Sequence, residues 1–233
     1  MHFNVADIFE RVAANVSERE AIVCGQSRVS YGEFDRTANQ LAHYLQQQGI
    51  GKGDHVAIYA YNRPEWVVAM LACYKLSAVP ININYRYVEE ELRYLLDDAD
   101  IKAVVFDQQF APLLAAVKDR LPLLKSFIAL ADESGADISV LGAVPYEQAV
   151  AGQPETKPDV SRSGDDLYVL YTGGTTGMPK GVIWRQEDVI MALGGGLDMT
   201  SGQPIASPEV MADRCIAENA FALRSFQLAP LMH

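Results

Sequence analysis

Short apolar segments alternate with helical patterns through the middle of this chain. The apolar segments are rich in β-branched and aromatic residues, and they occupy residues 55–59, 79–83, 102–106 and 126–130. The segments between them carry apolar residues at helical spacing, and one of them begins at Pro64, a residue favoured in the first turn of a helix. Strands separated by helices at these intervals form crossover units, which make successive strands parallel. The alternation predicts an α/β fold with layered, mostly parallel sheets flanked by helices.

The segment before this alternation predicts two helices and a hairpin. Asn4 precedes an amphipathic pattern and is expected to cap a first helix, because its side chain can accept a backbone N–H of the first turn. Residues 21–24 and 28–31 flank a Gly-Gln-Ser turn, which indicates a small hairpin. A second helix is predicted to end at Gly49, since glycine readily adopts the left-handed conformation that terminates helices.

The balance of charge and hydropathy excludes several classes of protein. The 233 residues include 30 acidic and 19 basic side chains, for a net charge of −11, so a nucleic acid is not an expected partner. The longest apolar run, residues 66–74, is far shorter than the roughly 20 residues that span a bilayer. The first 20 residues contain four acidic side chains, unlike a secretory signal. We therefore expect a cytoplasmic protein without a transmembrane segment.

The three cysteines do not indicate a shared site. Cys24, Cys73 and Cys215 are widely spaced and are not near the histidines in the sequence. Neither a disulfide framework nor a zinc site is indicated by this spacing. We expect three small buried thiols and no metal site within the chain.

A stretch rich in glycine and threonine lies between two further apolar runs. Residues 171–181 read Tyr-Thr-Gly-Gly-Thr-Thr-Gly-Met-Pro-Lys-Gly, and residues 167–170 and 182–184 on either side indicate strands. Four glycines allow a ligand to approach the backbone closely, while three threonines and Lys180 supply donors without any carboxylate. Inward-facing N–H groups would form a nest for phosphate oxygens, to which Lys180 adds positive charge. The stretch predicts a phosphate-binding loop between two strands.

The spacing distinguishes this loop from a Walker A motif. That motif runs Gly-x-x-x-x-Gly-Lys-Ser/Thr into a helix, whereas here Pro179 stands between the last loop glycine and Lys180 and a strand follows. A hairpin without a ligand is the structural alternative, but turn chemistry alone does not require three threonines and a lysine in this order. Trp184, just after the loop, is expected to pack in the core, with contact to the nucleotide loop as the alternative.

The run from Val169 to Lys180 resembles the phosphate-binding signature of the adenylate-forming superfamily, which contains acyl-CoA synthetases, luciferases of the firefly type and peptide-synthetase adenylation domains. Landmarks similar to those of the acyl-CoA synthetase N-terminal region also occur in order at residues 29–34, 38–42, 49–54, 62–65 and 75–84. Residues 81–87 and 181–185 look most similar to bacterial synthetases for long-chain or sterol side-chain acids. One departure is Ser77, where the family usually has glycine; we expect serine to be tolerated.

This resemblance implies that the family's reaction is ATP-dependent activation of a carboxylic acid to an acyl-adenylate, from which coenzyme A then displaces AMP. The residues that match donors to the β and γ phosphates are Thr172, Gly173, Gly174, Thr175, Thr176, Gly177 and Lys180. Lys180 and His233 are the candidate catalytic residues, because His233 matches a residue between the acyl carboxylate and the thiol entrance. As the last residue, His233 has the alternative of being frayed and inert.

The resemblance also implies residues that the chain lacks. The glutamate that holds magnesium, the aspartate that binds ribose, a hinge and a C-terminal domain with the adenylation lysine follow this region in family members. We therefore expect an incomplete large N-terminal domain that is inactive alone, with the magnesium ligand outside it. Its predicted parts are a first βα layer at residues 1–130, a surface connection with one short helix at 131–165, and a phosphate-loop region at 166–233.

Two other interpretations remain open from the sequence. The chain is alternatively a non-catalytic nucleotide-binding or regulatory module that keeps the loop, or a fragment of a peptide-synthetase adenylation domain. In each case the expected partners are small molecules, namely a carboxylic acid, ATP and coenzyme A for the enzyme. A homodimer is also compatible with the sequence.

Overall fold

The structure is a computed structural model that describes residues 1–172, 178–193, 195–198, 201–217 and 231. The strands are β1 (Glu20–Cys24), β2 (Ser27–Ser30), β3 (His55–Tyr59), β4 (Val79–Asn82), β5 (Ile101–Asp107), β6 (Ser126–Leu130), β7 (Val144–Pro145), β8 (Leu167–Thr172) and β9 (Lys180–Arg185). The α-helices are α1 (Val5–Asn15), α2 (Tyr31–Gln47), α3 (Pro64–Lys75), α4 (Glu89–Asp98), α5 (Ala111–Val117), α6 (Tyr146–Val150), α7 (Gln186–Ala192) and α8 (Pro208–Ile216). Short 3-10 helices occupy Gln108–Phe110, Lys118–Arg120 and Ser139–Leu141.

The centre of the fold is a five-stranded sheet with the order β4-β3-β5-β6-β7, in which every neighbouring pair is parallel. The chain passes from β3 to the edge strand β4, and it then crosses to the other side of β3 to form β5. Parallel neighbours need long crossover connections, and helices α3 and α4 supply the first two of them. The predicted fold class, with a mostly parallel sheet flanked by helices, is confirmed.

Helices cover both faces of this sheet. Val56 and Ile58 of β3 belong to a hydrophobic cluster that includes α2 and α3, whereas Ala57 and Tyr59 belong to a second cluster with α4 and α5. Successive side chains of a strand point to opposite faces, so the apolar strand is buried from both sides. The result is a three-layer arrangement of helix, sheet and helix.

Local signals set the helix ends as the sequence predicted. The Asn4 side chain accepts the Ala6 N–H at 3.0 Å, and α1 begins at the next residue, Val5. Gly49 follows the end of α2 with a φ of +82°, in the left-handed region that glycine adopts without strain. Strands β1 and β2 pair antiparallel and form the predicted hairpin.

The segment at residues 131–165 does more than connect two parts of the chain. It forms the predicted short helix α6, but it also contributes β7, which extends the sheet by pairing in parallel with β6. Tyr146 and Ala149 of α6 are buried in the cluster on the α2 face of the sheet. Two residues are too few to show a strand period in the sequence, which is why β7 was not predicted.

Two expectations about burial are wrong. The sequence places Trp184 in the core, but 41% of its surface is exposed, because the described residues place no second layer over β9 at this point. Cys73 is buried as expected, whereas Cys24 and Cys215 are exposed. Cys24 ends a strand of an isolated two-stranded sheet, and Cys215 lies in the last turn of α8. No helix among the described residues has the length and hydropathy needed to cross a membrane.

Candidate functional site

Strands β8 and β9 form an antiparallel hairpin whose far end carries the predicted phosphate loop. The register pairs Leu167 with Arg185 at one end and Thr172 with Lys180 at the other. Thr172 and Lys180 are both exposed, and the Thr172 hydroxyl donates to the Lys180 carbonyl oxygen at 3.5 Å. The structure therefore brings two predicted site residues together on facing strands, where the loop begins and ends.

The other predicted site residues lie outside the described part of the chain. They are Gly173, Gly174, Thr175, Thr176, Gly177 and His233. Two positions before His233, the N–H of Leu231 donates to Asn62 Oδ1 at 2.7 Å. Asn62 follows β3, at the carboxyl end of the parallel sheet, so Leu231 contacts that end of the sheet. The roles of these residues remain predictions.

Lys180 carries a charge that is available to an anionic ligand. Within the part of the chain that the structure describes, its ammonium group has no ion-pair partner. Arg185 at the other end of β9 differs, because it pairs with Asp165 at 2.9 Å and with Asp188 at 2.7 Å. Residues 169–184 contain no Asp or Glu that would compete with a bound phosphate. Within residues 169–184, Lys180 is thus the charged side chain, in a protein of negative net charge.

Tyr171 connects the loop end of the hairpin to helix α4. Its hydroxyl donates to Oδ2 of Asp98, the last residue of α4, at 2.8 Å. Burial and this hydrogen bond raise the pKa of Tyr171 above its ordinary value, so the hydroxyl remains a donor at neutral pH. No sequence signal predicts this contact, because no periodic pattern pairs residues that are 73 positions apart.

The ring of Tyr171 lies against the opposite strand. Its cross-strand partner is Gly181, where an added Cβ would lie 3.1 Å from a carbon of the ring. Contacts that short are unfavourable, so a side chain at position 181 would displace the ring or the strand. Gly181 therefore allows the Tyr171 ring to approach β9 closely. The sequence predicts a ligand-binding role for the glycines of this stretch and does not predict this packing role.

Asp166 fixes the other end of β8, immediately before its first residue. The buried carboxylate accepts hydrogen bonds at Oδ2 from Asn4 Nδ2 at 3.1 Å, Ser77 Oγ at 2.8 Å and the Ser163 N–H at 3.0 Å. The Lys52 ammonium lies 3.2 Å from Oδ1. A buried charge is costly without such partners, and here four separate segments supply them. None of these residues was predicted as part of a site.

Ser77 has a specific structural account. Its φ of +55° lies in the left-handed region, which favours glycine and explains why glycine is usual at this position in the resembling family. The hydrogen bond from the Ser77 hydroxyl to Asp166 is an interaction that glycine cannot make. The Gly53 N–H also donates to the Ser77 carbonyl oxygen at 2.9 Å. The serine is therefore accommodated by compensating contacts.

A cavity of about 270 Å³ is lined both by residues of the hairpin and by residues of the parallel-sheet region. Its lining is mostly apolar and includes His55, Ile81, Asp98, Val169 and Ile183. Among the described residues, no group of three or more His, Cys, Asp or Glu side chains is arranged to hold a metal ion.

Comparison with known proteins agrees with the family resemblance predicted from the sequence. A family model described as AMP-binding enzyme matches residues 9–230. The 3-oxocholest-4-en-26-oate–CoA ligase of Rhodococcus rhodochrous is 40% identical over 233 residues, which cover 100% of this chain and 42% of that protein. A medium/long-chain-fatty-acid–CoA/3-oxocholest-4-en-26-oate–CoA ligase of Mycobacterium marinum is 41% identical over 234 residues, with 99% and 42% covered. The chain thus spans less than half the length of these curated relatives, whose names confirm the predicted resemblance.

Solved structures show the same architecture. An anthranilate CoA ligase in complex with anthranoyl-AMP has a TM-score of 0.74 at 23% identity, covering 84% of this chain and 38% of that one. A fatty acyl CoA synthetase of Mycobacterium tuberculosis has a TM-score of 0.70 at 25% identity, again covering 84% and 38%. The fold is therefore that of the N-terminal part of these ligases. Together with the match over residues 9–230, this shows that the chain belongs to the AMP-binding enzyme family.

Proposed function

We propose that this chain forms the ATP-binding portion of an enzyme that joins a carboxylic acid to coenzyme A. The observation that carries the proposal is Lys180, exposed opposite Thr172 and unpaired among the described residues, in a chain that matches CoA ligases over its whole length. The proposed contacts to the β and γ phosphates come from Thr172, Gly173, Gly174, Thr175, Thr176, Gly177 and Lys180. Each is a hydroxyl, amide or ammonium donor, as phosphate oxygens require.

The first proposed half-reaction needs neutralisation of charge more than proton transfer. A carboxylic acid is already ionised at pH 7, so its oxygen can attack the α phosphorus of ATP without a general base. The bond from that phosphorus to the bridging oxygen breaks, and pyrophosphate leaves with the electron pair. Repulsion between the carboxylate and the nucleotide opposes this step, and fixed donors reduce the repulsion. Lys180 would place a positive charge beside the leaving phosphates.

In the second proposed half-reaction, the coenzyme A thiolate attacks the acyl carbonyl carbon and AMP leaves. His233 is proposed to position the acyl group near the thiol entrance, as the family signature implies. Medium-chain and long-chain fatty acids or sterol side-chain acids are the proposed substrates, because the relatives are named for them. The peptide-synthetase alternative gains no support from relatives that are named as CoA ligases.

Magnesium is a further proposed cofactor, and the family resemblance implies that its glutamate ligand follows this region. A bound magnesium ion would neutralise further phosphate charge. The contacts proposed for the residues of this chain are those of Lys180 and the loop donors. A cytoplasmic location and a homodimer stay predictions.

Replacing Lys180 with alanine tests the proposal. A charge-assisted contact contributes about 1.5 to 3 kcal/mol, so Lys180→Ala should weaken ATP binding by roughly one to two orders of magnitude. Because Lys180 is exposed and unpaired among the described residues, the melting temperature should change little. Titration of the 233-residue chain with ATP, followed by NMR shifts of the loop amides, measures the dissociation constant even when binding is weak.

Lys157→Ala is the matched control, because Lys157 is another exposed lysine and lies in the segment 131–165. It should leave the dissociation constant unchanged. Equal ATP affinity of the Lys180→Ala variant and the wild type would contradict the proposed contact. A parallel loss of affinity and melting temperature would instead indicate that Lys180 has a structural role.

A further inference from the structure

We propose that Tyr171 and Asp98 form a clasp that positions the phosphate loop, with Tyr171 acting as a positioning residue for Thr172 and Lys180. The inference rests on the proposed ATP-binding function of the same hairpin. It assigns roles to a tyrosine and to a helix-terminal aspartate that the phosphate-binding signature does not explain. Neither residue is proposed to contact the nucleotide.

The clasp joins two elements at a point next to the loop. Tyr171 immediately precedes Thr172, and its hydroxyl reaches Asp98 Oδ2 at 2.8 Å. Thr172 pairs with Lys180, and Tyr171 pairs with Gly181 in the adjacent rung of the ladder. A displacement of Tyr171 therefore moves the two residues at which the loop begins and ends.

Asp98 is well suited to hold a hydroxyl group. As the last residue of α4, its carboxylate lies at the negative end of the helix dipole, where a negative charge needs compensating donors. The nearby cation Arg93 is directed to Glu90 and Asp97 instead. Within the described part of the chain, Asp98 forms no ion pair, and its other oxygen accepts a longer hydrogen bond of 3.4 Å from the Tyr94 hydroxyl. The Tyr171 hydroxyl is thus its shorter donor.

The ring of Tyr171 is confined on its other side by the hairpin itself. An added Cβ at Gly181 would lie 3.1 Å and 3.2 Å from two ring carbons, so the ring rests against the backbone of β9. The hydroxyl end of the side chain therefore lies between α4, to which it donates a hydrogen bond, and β9, against which it packs. Through these two contacts the position of the helix affects the position of the hairpin.

The contacts around the hairpin differ between its two ends. The cavity of about 270 Å³ is lined by both the hairpin and the parallel-sheet region, and all six residues of β9 are exposed. Packing on the core therefore reaches the hairpin through β8, where Val169 is buried and Tyr171 packs beside it, and not through β9. At the opposite end, the Asp166 cluster and the Arg185 ion pairs already fix the strands. Among the described residues, the hydrogen bond from Tyr171 to Asp98 is the polar side-chain contact that fixes the loop end against α4.

Tyr171→Phe is the direct test, because it removes the hydroxyl and keeps the ring. We expect ATP affinity to fall by about tenfold, the effect of one hydrogen bond to a charged group, while the melting temperature changes little. Amide exchange in β8 and β9 should become several-fold faster near residues 171 and 181, with exchange in α3 unchanged. Asp98→Ala should reproduce both effects, and Asp98→Asn should retain most of the wild-type behaviour because it keeps an oxygen acceptor.

Tyr94→Phe is the matched control, since Tyr94 belongs to α4 and donates to the other oxygen of the same carboxylate. It should leave exchange and affinity unchanged. The double variant Tyr171→Phe/Asp98→Ala should be no worse than either single variant, because the two residues act through one bond. Unchanged hairpin exchange in Tyr171→Phe, or faster exchange throughout the protein with a lower melting temperature, would overturn the clasp.

The two measurements separate this inference from the proposed function. Failure of the wild-type chain to bind ATP would contradict the proposed function, while the exchange experiment would still decide whether the clasp exists. ATP binding that depends on Lys180 but not on Tyr171 would support the function and overturn the positioning role.

Discussion

Strands β6 and β9 each contain a run of at least three apolar residues, yet they have opposite environments. All five residues of β6 are buried, whereas all six residues of β9 are exposed. β6 has a strand on each side and helices over both faces, while among the described residues β9 pairs with β8 alone. Ile183 of β9 consequently exposes 66% of its surface. The comparison teaches that the number of covering layers, and not apolar content, decides burial in this protein.

Two lysines show the same contrast between the regions. Lys75 has no exposed surface, and its ammonium lies 2.8 Å from Glu10 and 2.8 Å from Asp35. A buried ammonium needs such partners, and these connect α3 to α1 and α2. Lys180 is exposed, and the described residues offer it no partner. The charge of Lys75 thus serves internal contacts, while the charge of Lys180 is available to a ligand.

The largest effect is expected in the parallel sheet. Phe106 of β5 has no exposed surface, so Phe106→Ala should lower the free energy of unfolding by about 3 to 5 kcal/mol through lost burial and the cavity that remains. Urea denaturation followed by circular dichroism measures the change. A loss below about 1 kcal/mol would break the comparison, because it would mean that full burial in β5 adds little stability.

A somewhat smaller effect is expected at the buried lysine. Lys75→Met keeps much of the side-chain volume but leaves Asp35 and Glu10 without their shared cation. We expect a loss of about 2 to 3 kcal/mol, below the range for fully buried pairs, because both carboxylates keep some exposure. The same denaturation experiment checks it. The double variant Lys75→Met/Asp35→Asn should recover part of the loss, and a further loss would contradict this account.

Acid should weaken the same ionic cluster. Burial alone would raise the pKa of Glu10, but Arg162 and Lys75 outweigh it and hold the pKa below the ordinary value of 4.5. A carboxyl whose folded-state pKa is depressed stabilises the fold above its unfolded-state pKa. That contribution is therefore complete above 4.5 and is lost as the pH falls through the lower folded-state value. Unfolding free energies measured from about pH 6 to pH 3 should show this decline, and Glu10→Gln should flatten it.

The smallest effect is expected in the hairpin. Ile183→Thr keeps a β-branched side chain on an exposed strand, so the free energy of unfolding should change by less than about 0.5 kcal/mol. Ile183 exposes 66% of its surface, which leaves little burial to lose. Thermal unfolding monitored by fluorescence is a sufficient measurement. A loss as large as that of Phe106→Ala would break the contrast between the two regions.

The sequence predicted the parallel-sheet region well, because its elements have local signals. The predicted strands at residues 55–59 and 126–130 coincide with β3 and β6, and the predicted cap Asn4 precedes α1. Periodicity and capping depend on near neighbours, so a sequence contains them. The environment of Trp184 was predicted incorrectly because an apolar run gives no measure of what covers it.

The candidate site divides in the same way. The order Thr-Gly-Gly-Thr-Thr-Gly with Pro-Lys predicts a phosphate-binding loop, because donors, charge and backbone freedom belong to the residues themselves. The Asp166 cluster and the bond between Tyr171 and Asp98 are visible only in three dimensions. These contacts join segments that are 89 and 73 positions apart in the sequence. The path of the chain through the sheet brings those segments together, and a local sequence pattern does not predict that path.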